Sequence, residues 1–302
     1  MLIVAGVLLG GCGGGSDVPD TTTPTTARDQ RPTFAGEPSP SFAQPLKVSL
    51  DGQMNAANVA VLMAVEKGYF ADVGLTVYPG TPVAPRRPVR YIAAYTDDIA
   101  LTQQPQVAMA KKKGAPIVTI GRLISEPTAS MIWLKKSNIK GIADLRGKTI
   151  AVPGIPYQEE LLESILERAG LEPGDVEVKQ AGYRLLPALL SGKADAIFGG
   201  SWNIEGVALR ERGLQPVIER VQDLGVPDYD ELVVITRADR AAREPQVVRK
   251  FMVALNRGVA AVKRYPRLAA KLIQSSPHEY EIEKRETMAQ VRATAPLLSS
   301  TG

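Results

Sequence analysis

Between residues 47 and 236 short apolar runs alternate with stretches of helical periodicity, and polar, glycine or proline residues punctuate the joins. Strand and helix taking turns is the grammar of βαβ units, because parallel strands can be joined only through a crossover, usually a helix. Lys47-Val48-Ser49-Leu50 reads as a strand, followed by a polar turn and a helix from Asn58, a plausible N-cap, to Gly68. Asp98–Leu101 and Pro116–Ile120 read as strands on either side of a helix over Gln106–Lys113. The run Lys111–Lys113 falls at that helix's end, where cations complement the dipole.

A second series begins at Lys148–Val152, is stopped by Pro153-Gly154, and enters a helix with Leu161, Leu162, Ile165, Leu166 and Ala169 on one face. Gly170 and Pro173 end it. Val176–Val178 and Ala196–Phe198 supply short strands around a helix over Leu185–Leu190. The two series echo each other: Asp98, a short strand and Thr102-Gln103-Gln104 parallel Asp195, another strand and Gly200-Ser201-Trp202-Asn203. Glu231–Thr236 is the next strand, after which the chain reads as all helix, with one helix opened by Pro245 and stopped by Pro266 and another over Tyr280–Leu298. The expected fold is α/β with two lobes, each a mixed sheet flanked by helices. The chain crosses to the second lobe near Ser130–Leu134 and returns near Tyr229–Ile235, a two-strand hinge. The expected boundaries are residues 46–130 with 228–302 for lobe 1 and 131–227 for lobe 2.

With 302 residues and 44% apolar content, two compact units suit the chain better than one. Its net charge of +4 arises from 36 basic and 32 acidic residues read as spread without a basic stripe, so no nucleic-acid partner is expected. Cys12 and His278 are the only cysteine and histidine, which excludes a disulfide framework and leaves no cluster for zinc. No metal and no cofactor are expected.

Met1–Leu9 is too short to span a bilayer, which needs about 20 apolar residues, but fits the apolar core of a signal peptide. It ends in Leu9-Gly10-Gly11-Cys12, which resembles the bacterial lipobox, whose cysteine is acylated. No Lys or Arg precedes the run, which leaves room for a start codon upstream. Residues 1–12 are therefore read as a lipoprotein signal peptide and Cys12 as the lipidation site. Residues 13–45, with Gly13-Gly14-Gly15-Ser16 and a Thr/Pro tract, cannot bury enough apolar surface to offset the entropy of ordering and read as a disordered tether.

Several stretches resemble the pyrimidine-precursor-binding branch of the type II periplasmic binding proteins, a family related to the yeast thiamine-pyrimidine synthase and to receptors for sulfonates, nitrate and riboflavin. They are Leu50–Asn58 followed by Glu66-Lys67-Gly68-Tyr69-Phe70 and Gly74-Leu75, Asp144-Leu145-Arg146-Gly147-Lys148, Pro153-Gly154-Ile155-Pro156, and Gly200-Ser201-Trp202-Asn203-Ile204-Glu205-Gly206 running to Gly225-Val226-Pro227. The Glu-Lys-Gly-Tyr-Phe and Asp-Leu-Arg-Gly-Lys elements mark the superfamily, whereas Trp-Asn-Ile-Glu with its downstream Gly-Val-Pro is narrower. One departure stands out. Family members commonly carry Trp-Thr-Pro-Asn after the first strand's aspartate, whereas Asp51 here precedes Gly52-Gln53-Met54-Asn55, without an aromatic wall. The chain stops at Gly302, where relatives usually continue for another helix, and reads as truncated.

Ligands of open α/β sheets bind beyond the carboxyl ends of the strands, so the loops after strands are the candidate site. These loops hold Asn55 and Asn58, Gln103 and Gln104, Gly154 and Tyr157, and Ser201, Trp202, Asn203 and Glu205. Trp202 offers a flat face to a heteroaromatic ring, or else packs between sheet and helix. Glu205 can accept hydrogen bonds from an aminopyrimidine, or serve as favourable charge in a helix's first turn. Tyr157 closes the ring's other face or stands half-exposed. Asn58 is an N-cap or a ligand contact, and Gln103 and Gln104 are contacts or a solvated turn.

The resemblance implies the substrate-binding component of an ABC importer, outside the cytoplasm, held to the membrane through Cys12, serving a permease and an ATPase, and monomeric. It captures a small heteroaromatic solute such as a hydroxymethyl- or formylaminopyrimidine by lobe closure. Alternatives within the class are riboflavin or a sulfonate- or nitrate-type anion, which an arginine such as Arg122 or Arg184 would clamp. A pyrimidine-synthase-like enzyme is the alternative of another class. That synthase uses a lysine, histidines and a cysteine-rich motif, a set this chain lacks. A membrane-tethered sensor or scaffold is the remaining one.

Overall fold

The computed structural model describes residues 43–278 and 282–301. The apolar leader, Cys12 and the tether up to residue 42 lie outside the described residues. The first half of the body runs β1 (Gln44–Ser49), α1 (Val59–Glu66), β2 (Leu75–Gly80), α2 (Pro88–Ala93), β3 (Ile99–Thr102), α3 (Gln104–Lys112) and β4 (Ile117–Ile124). A crossover strand, β5 (Ala129–Leu134), follows. Then come β6 (Thr149–Val152), α4 (Pro156–Arg168), β7 (Glu177–Gln180), α5 (Leu185–Leu190), β8 (Ala196–Ser201), α6 (Glu205–Glu211) and β9 (Pro216–Arg220). The chain closes with β10 (Leu232–Arg237), α7 (Ala238–Arg243), α8 (Pro245–Arg264), α9 (Pro266–Ser275), α10 (Lys284–Thr294) and β11 (Leu298–Thr301).

Two mixed sheets result, in the orders β11-β4-β10-β3-β1-β2 and β7-β6-β8-β5-β9. Mapping β6, β7, β8, β5 and β9 onto β1, β2, β3, β10 and β4 reproduces both order and strand direction, three parallel strands followed by two antiparallel steps. Each sheet therefore takes its one antiparallel inner strand from the chain arriving out of the other half. The two aspartates of the echo do the same job in each sheet. The carboxylate of Asp98 accepts the Lys47 N–H at 2.7 Å while the Asp98 N–H donates to the Lys47 carbonyl. Asp195 does both with Thr149, its carboxylate at 2.9 Å. Each acid fixes the register of two parallel strands at their start, so the strands end level at the opposite edge.

The inner strands are buried on both faces, which is why they read as unbroken apolar runs. In the first sheet Leu46, Val48 and Leu101 pack with α1 and with Phe251, Leu255, Val259 and Val262 of α8, while Ala100, Val233 and Ile235 face Val89, Ile92 and Val107. In the second, Met131, Trp133, Ile150 and Phe198 meet Leu162, Ile165 and Leu166 of α4, and Ile132, Ala151 and Ile197 meet Leu185, Leu189 and Leu209.

Several boundaries differ from those expected. Strand β1 opens at Gln44, so Gln44 and Pro45 belong to the sheet rather than to the tether. All of β5 pairs within the second sheet, which puts the first crossing over residues 125–128 and the assignment of Ala129 and Ser130 with the second half. Pro266 does stop α8, and it also opens α9 as an N1 proline. The expected last helix is shorter, and Leu298–Thr301 is a strand pairing with β4, so the chain after Glu231–Thr236 is not all helix. Strands β2 and β9 are not evident in the sequence because Pro79 and Pro216 sit in them; proline is tolerated at sheet edges and at a strand's first residue, and both strands are edges. Charge is also less evenly spread than expected: α8 and α9 hold seven Lys and Arg and no acid.

Gly258 lets α1 and α8 cross closely. A Cβ there would lie 2.3 Å from the Ala60 carbonyl oxygen and 2.9 Å from the Ala64 Cβ. Backbone cannot yield as a side chain can. Gly258→Ala should therefore lose about 1–3 kcal/mol despite alanine's better helix propensity, read as a lower chemical-denaturation midpoint; an unchanged midpoint would contradict the close crossing.

Candidate functional site

The carboxyl ends of β1, β3, β6 and β8 converge on one cavity of about 150 Å³. Its walls come from the loop after β1 (Asp51 to Asn55), from Gln103 after β3, from Pro153, Ile155 and Gln158 after β6, and from Ser201 and Glu205 after β8. Thr128 and Glu231, one on each connection between the sheets, complete the floor. His278 and Gln290 from the C-terminal segment also reach it.

Three carboxyl groups line this space, Asp51, Glu205 and Glu231, and among the described residues lining it there is no Lys or Arg. Burial raises all three above the usual carboxylate range, and Glu231 is pushed up to about 7. Each is held by donors that partly counter the burial. Glu231 accepts the backbone N–H groups of Thr128 (2.6 Å) and Ala129 (3.3 Å), Glu205 that of Ser201 (2.7 Å), and Asp51 the Asn58 amide (2.9 Å). Gln158 is 3% exposed and gives its Nε2 hydrogen to the Tyr157 hydroxyl, which leaves its Oε1 without a donor. Gly199 makes room for that amide: its φ is +83°, and a Cβ would stand 2.2 Å from Gln158 Oε1. The site is a concave surface of hydrogen-bond acceptors, suited to a ligand rich in N–H groups.

The sequence candidates divide. Asn55, Gln103, Ser201 and Glu205 line the cavity. Asn58 is wholly buried behind it at the start of α1, where its side chain makes no capping bond and instead accepts the Asn55 N–H and donates to Asp51 and the Gln53 carbonyl. Gln104 has a structural duty, a pair of bonds with the backbone of Asp230. Gly154, at φ +76°, is itself off the wall, though its neighbours Pro153 and Ile155 are on it. Tyr157 is buried edge-on against Tyr229, and its phenol is held well above the usual range by burial and by the charge of Glu231. Trp202 does not line the cavity; the Arg220 guanidinium lies over its ring, 4.3 Å from the centroid. Asn203 points away, donating to Thr294 Oγ1. Arg122 and Arg184 are not on the cavity wall either.

A family model described as NMT1/THI5 like matches residues 55–269. The chain belongs to the NMT1/THI5-like family. It is 33% identical over 228 residues (75% of this chain, 72% of the relative) to a putative thiamine biosynthesis protein of Haemophilus influenzae. It is 31% identical over 234 residues (78% and 71%) to a formylaminopyrimidine-binding protein of Halalkalibacterium halodurans. A 4-amino-5-hydroxymethyl-2-methylpyrimidine phosphate synthase of Schizosaccharomyces pombe is 24% identical over 208 residues (66% and 60%). Among solved structures, the periplasmic aliphatic sulphonate binding protein SsuA of Escherichia coli superposes with a TM-score of 0.64 at 16% identity, over 85% of each chain. The fold is that of the two-lobed type II periplasmic binding proteins.

Within this NMT1/THI5-like site, Glu231, Gln158 and His278 were not among the sequence candidates. From sequence Glu231 is only the first residue of a strand; its signal is a carboxylate opening an otherwise apolar run. His278 was placed in a helical tail, yet it follows α9 and its ring nitrogens lie 2.7 Å and 2.8 Å from the carbonyl oxygens of Ser276 and Met54. Nothing in the local sequence marks that contact with a loop more than two hundred residues away.

Between its ordinary value of 4.5 and about 7, Glu231 keeps in the folded chain a proton that the unfolded chain has released. Stability must therefore fall as pH rises through that window, with Asp51 and Glu205 acting in the same direction. Glu231→Gln, which copies the protonated form, should make the plot of melting temperature against pH shallower between these values. An unaltered slope would show that the carboxyl is not buried.

Proposed function

We propose that this chain is the extracytoplasmic receptor of an ABC importer and that it captures a pyrimidine precursor of thiamine, of the formylaminopyrimidine type, between its two halves. The observation that carries the reading is the acceptor surface: Asp51, Glu205 and Glu231 around one cavity, with Gln158 Oε1 unmatched. An aminopyrimidine brings an exocyclic amine to such a surface, whereas a sulfonate or nitrate would meet three carboxyls. A cavity of about 150 Å³ is small beside the roughly 300–1,000 Å³ of sites for drug-sized ligands, which favours a single ring over a flavin. The relatives named for formylaminopyrimidine binding and thiamine biosynthesis support the same choice.

In this reading residues 44–128 with 228–302 move as one lobe and 129–227 as the other, and the monomeric body hangs from the membrane through acylated Cys12 beside a permease and its ATPase. Capture without chemistry is the role. Both ring nitrogens of His278 lie on backbone carbonyls, and among the described residues lining the cavity there is no cysteine or lysine, so the lysine and cysteine-rich motif of the synthase have no counterpart around the ligand.

Isothermal titration with formylaminopyrimidine and with an alkanesulfonate tests this directly. Binding of the first and not the second is expected, and Glu205→Gln should weaken it at least tenfold, since a hydrogen bond to a charged group contributes about 1.5–3 kcal/mol. Tighter binding of the sulfonate, or full affinity in both Glu205→Gln and Glu231→Gln, would defeat the proposal.

A further inference from the structure

Outside the cavity the most uneven feature of the molecule is the outer layer of the first sheet. From Pro245 to Ser275 the chain has seven Lys and Arg and no Asp or Glu; without them 29 basic residues would face 32 acidic ones, so this segment alone makes the chain basic. All seven are exposed. The buried side of α8, with Phe251, Met252, Leu255, Val259 and Val262, packs on the core. The opposite stripe, at helical spacing, carries Arg249, Val253, Arg257, Ala260 and Arg264, flanked by Lys250 and Lys263, and runs about 22 Å at 1.5 Å per residue. Arg267 and Lys271, one turn apart on α9, continue it. Val253 and Tyr265 stand exposed among these cations at 49% and 38%. Asp72 offsets Arg257 at 2.8 Å, and Lys67 lies over the Tyr265 ring, adding a further cation. No residue of α8 or α9 lines the cavity, so the stripe does not steer the ligand.

A second observation locates the start of the folded body beside the stripe. Gln44, where the N-terminal segment joins the body, donates its side-chain amide to Glu244 at 3.0 Å, the residue immediately before α8. The first strand thus begins beside one end of the basic face. We propose that α8 and α9 form a docking face for an anionic lipid surface, against which the body rests when its N-terminus is anchored. The cations meet headgroup phosphates, and Val253 and Tyr265 reach the interface between them. The orientation, though not the lipid affinity, rests on the reading of Cys12 given above.

The test uses the full chain with Cys12→Ala, so that no acyl chain can drive binding. Co-sedimentation is measured on phosphatidylcholine vesicles with and without about one-third phosphatidylglycerol, at salt from about 0.1 to 0.5 M. Binding only to the anionic vesicles, weakened by salt, is expected. Replacing Arg249, Lys250, Lys263, Arg267 and Lys271 together by Gln should lower it at least tenfold while leaving melting temperature and pyrimidine titration unchanged. No binding of the Cys12→Ala chain to anionic vesicles would overturn the proposal, as would equal binding by the neutralised variant. So would a variant that loses retention on DNA but not on vesicles. Because the pyrimidine titration is read separately, the two proposals fail independently.

Discussion

The carboxylate of Glu231 is the point on which the two halves and the cavity depend together. The chain passes between the sheets over residues 125–128 and again over 221–231, and Glu231, at the end of the second passage, accepts the N–H groups of Thr128 and Ala129 at the end of the first. A buried carboxylate is costly unless donors surround it, and here the donors are the two backbone groups whose positions decide how the passages lie side by side. Its neighbours are drawn into the same arrangement. The backbone of Asp230 pairs with Gln104, the Trp202 N–H donates to the Thr128 carbonyl, and Thr128 Oγ1 donates to Ser201 Oγ. Loops from both sheets are thereby referenced to one residue, which itself faces the ligand space.

What the two halves contribute to that space follows from their shared plan. Each sheet sets two of its three parallel strands in register with an aspartate at the amino edge, so polar loops emerge level at the other edge. Two such edges, joined by the pair of connecting segments, present their polar loops and helix starts to each other. The chemistry of the site then comes from which loop residues are bonded inward and which are left facing the gap. Asn58 is bonded inward and aims Asp51; Gln158 is left with a bare acceptor.

Much of the fold was legible because parallel strands buried on both faces leave unbroken apolar runs, as in Ile99–Thr102 and Ala196–Ser201. The edges were not. Pro79 and Pro216 masked their strands, and the Ser299 region looked like the end of a helix because nothing local distinguishes a last turn from a short strand that pairs across the sheet. At the site, Glu205, Ser201, Asn55 and Gln103 could be read from position alone, since loops after inner strands must meet there. Trp202 could not be assigned: its ring is claimed by Arg220, a partner from β9, which was itself unseen in sequence. Residues whose duty is fixed by a distant partner are those that local pattern misplaces.

The aromatic wall that is missing after the first strand has a counterpart in these contacts. Gly52 stands where the resemblance leads one to expect tryptophan, and it faces the Tyr183 ring from the second half: a Cβ there would be in ordinary contact with it, 3.4 Å from Tyr183 Cε1. Tyr183 lines the cavity, and its hydroxyl donates to the Pro82 carbonyl at 2.8 Å, from the loop after β2. The aromatic surface is therefore supplied from the other side of the gap, and through Tyr183 and Pro82 it depends on the two halves being together. A flat ligand would meet its stacking partner only in the arrangement in which the acceptors of both sheets already surround its edges, so face and edge recognition are coupled to the same closure.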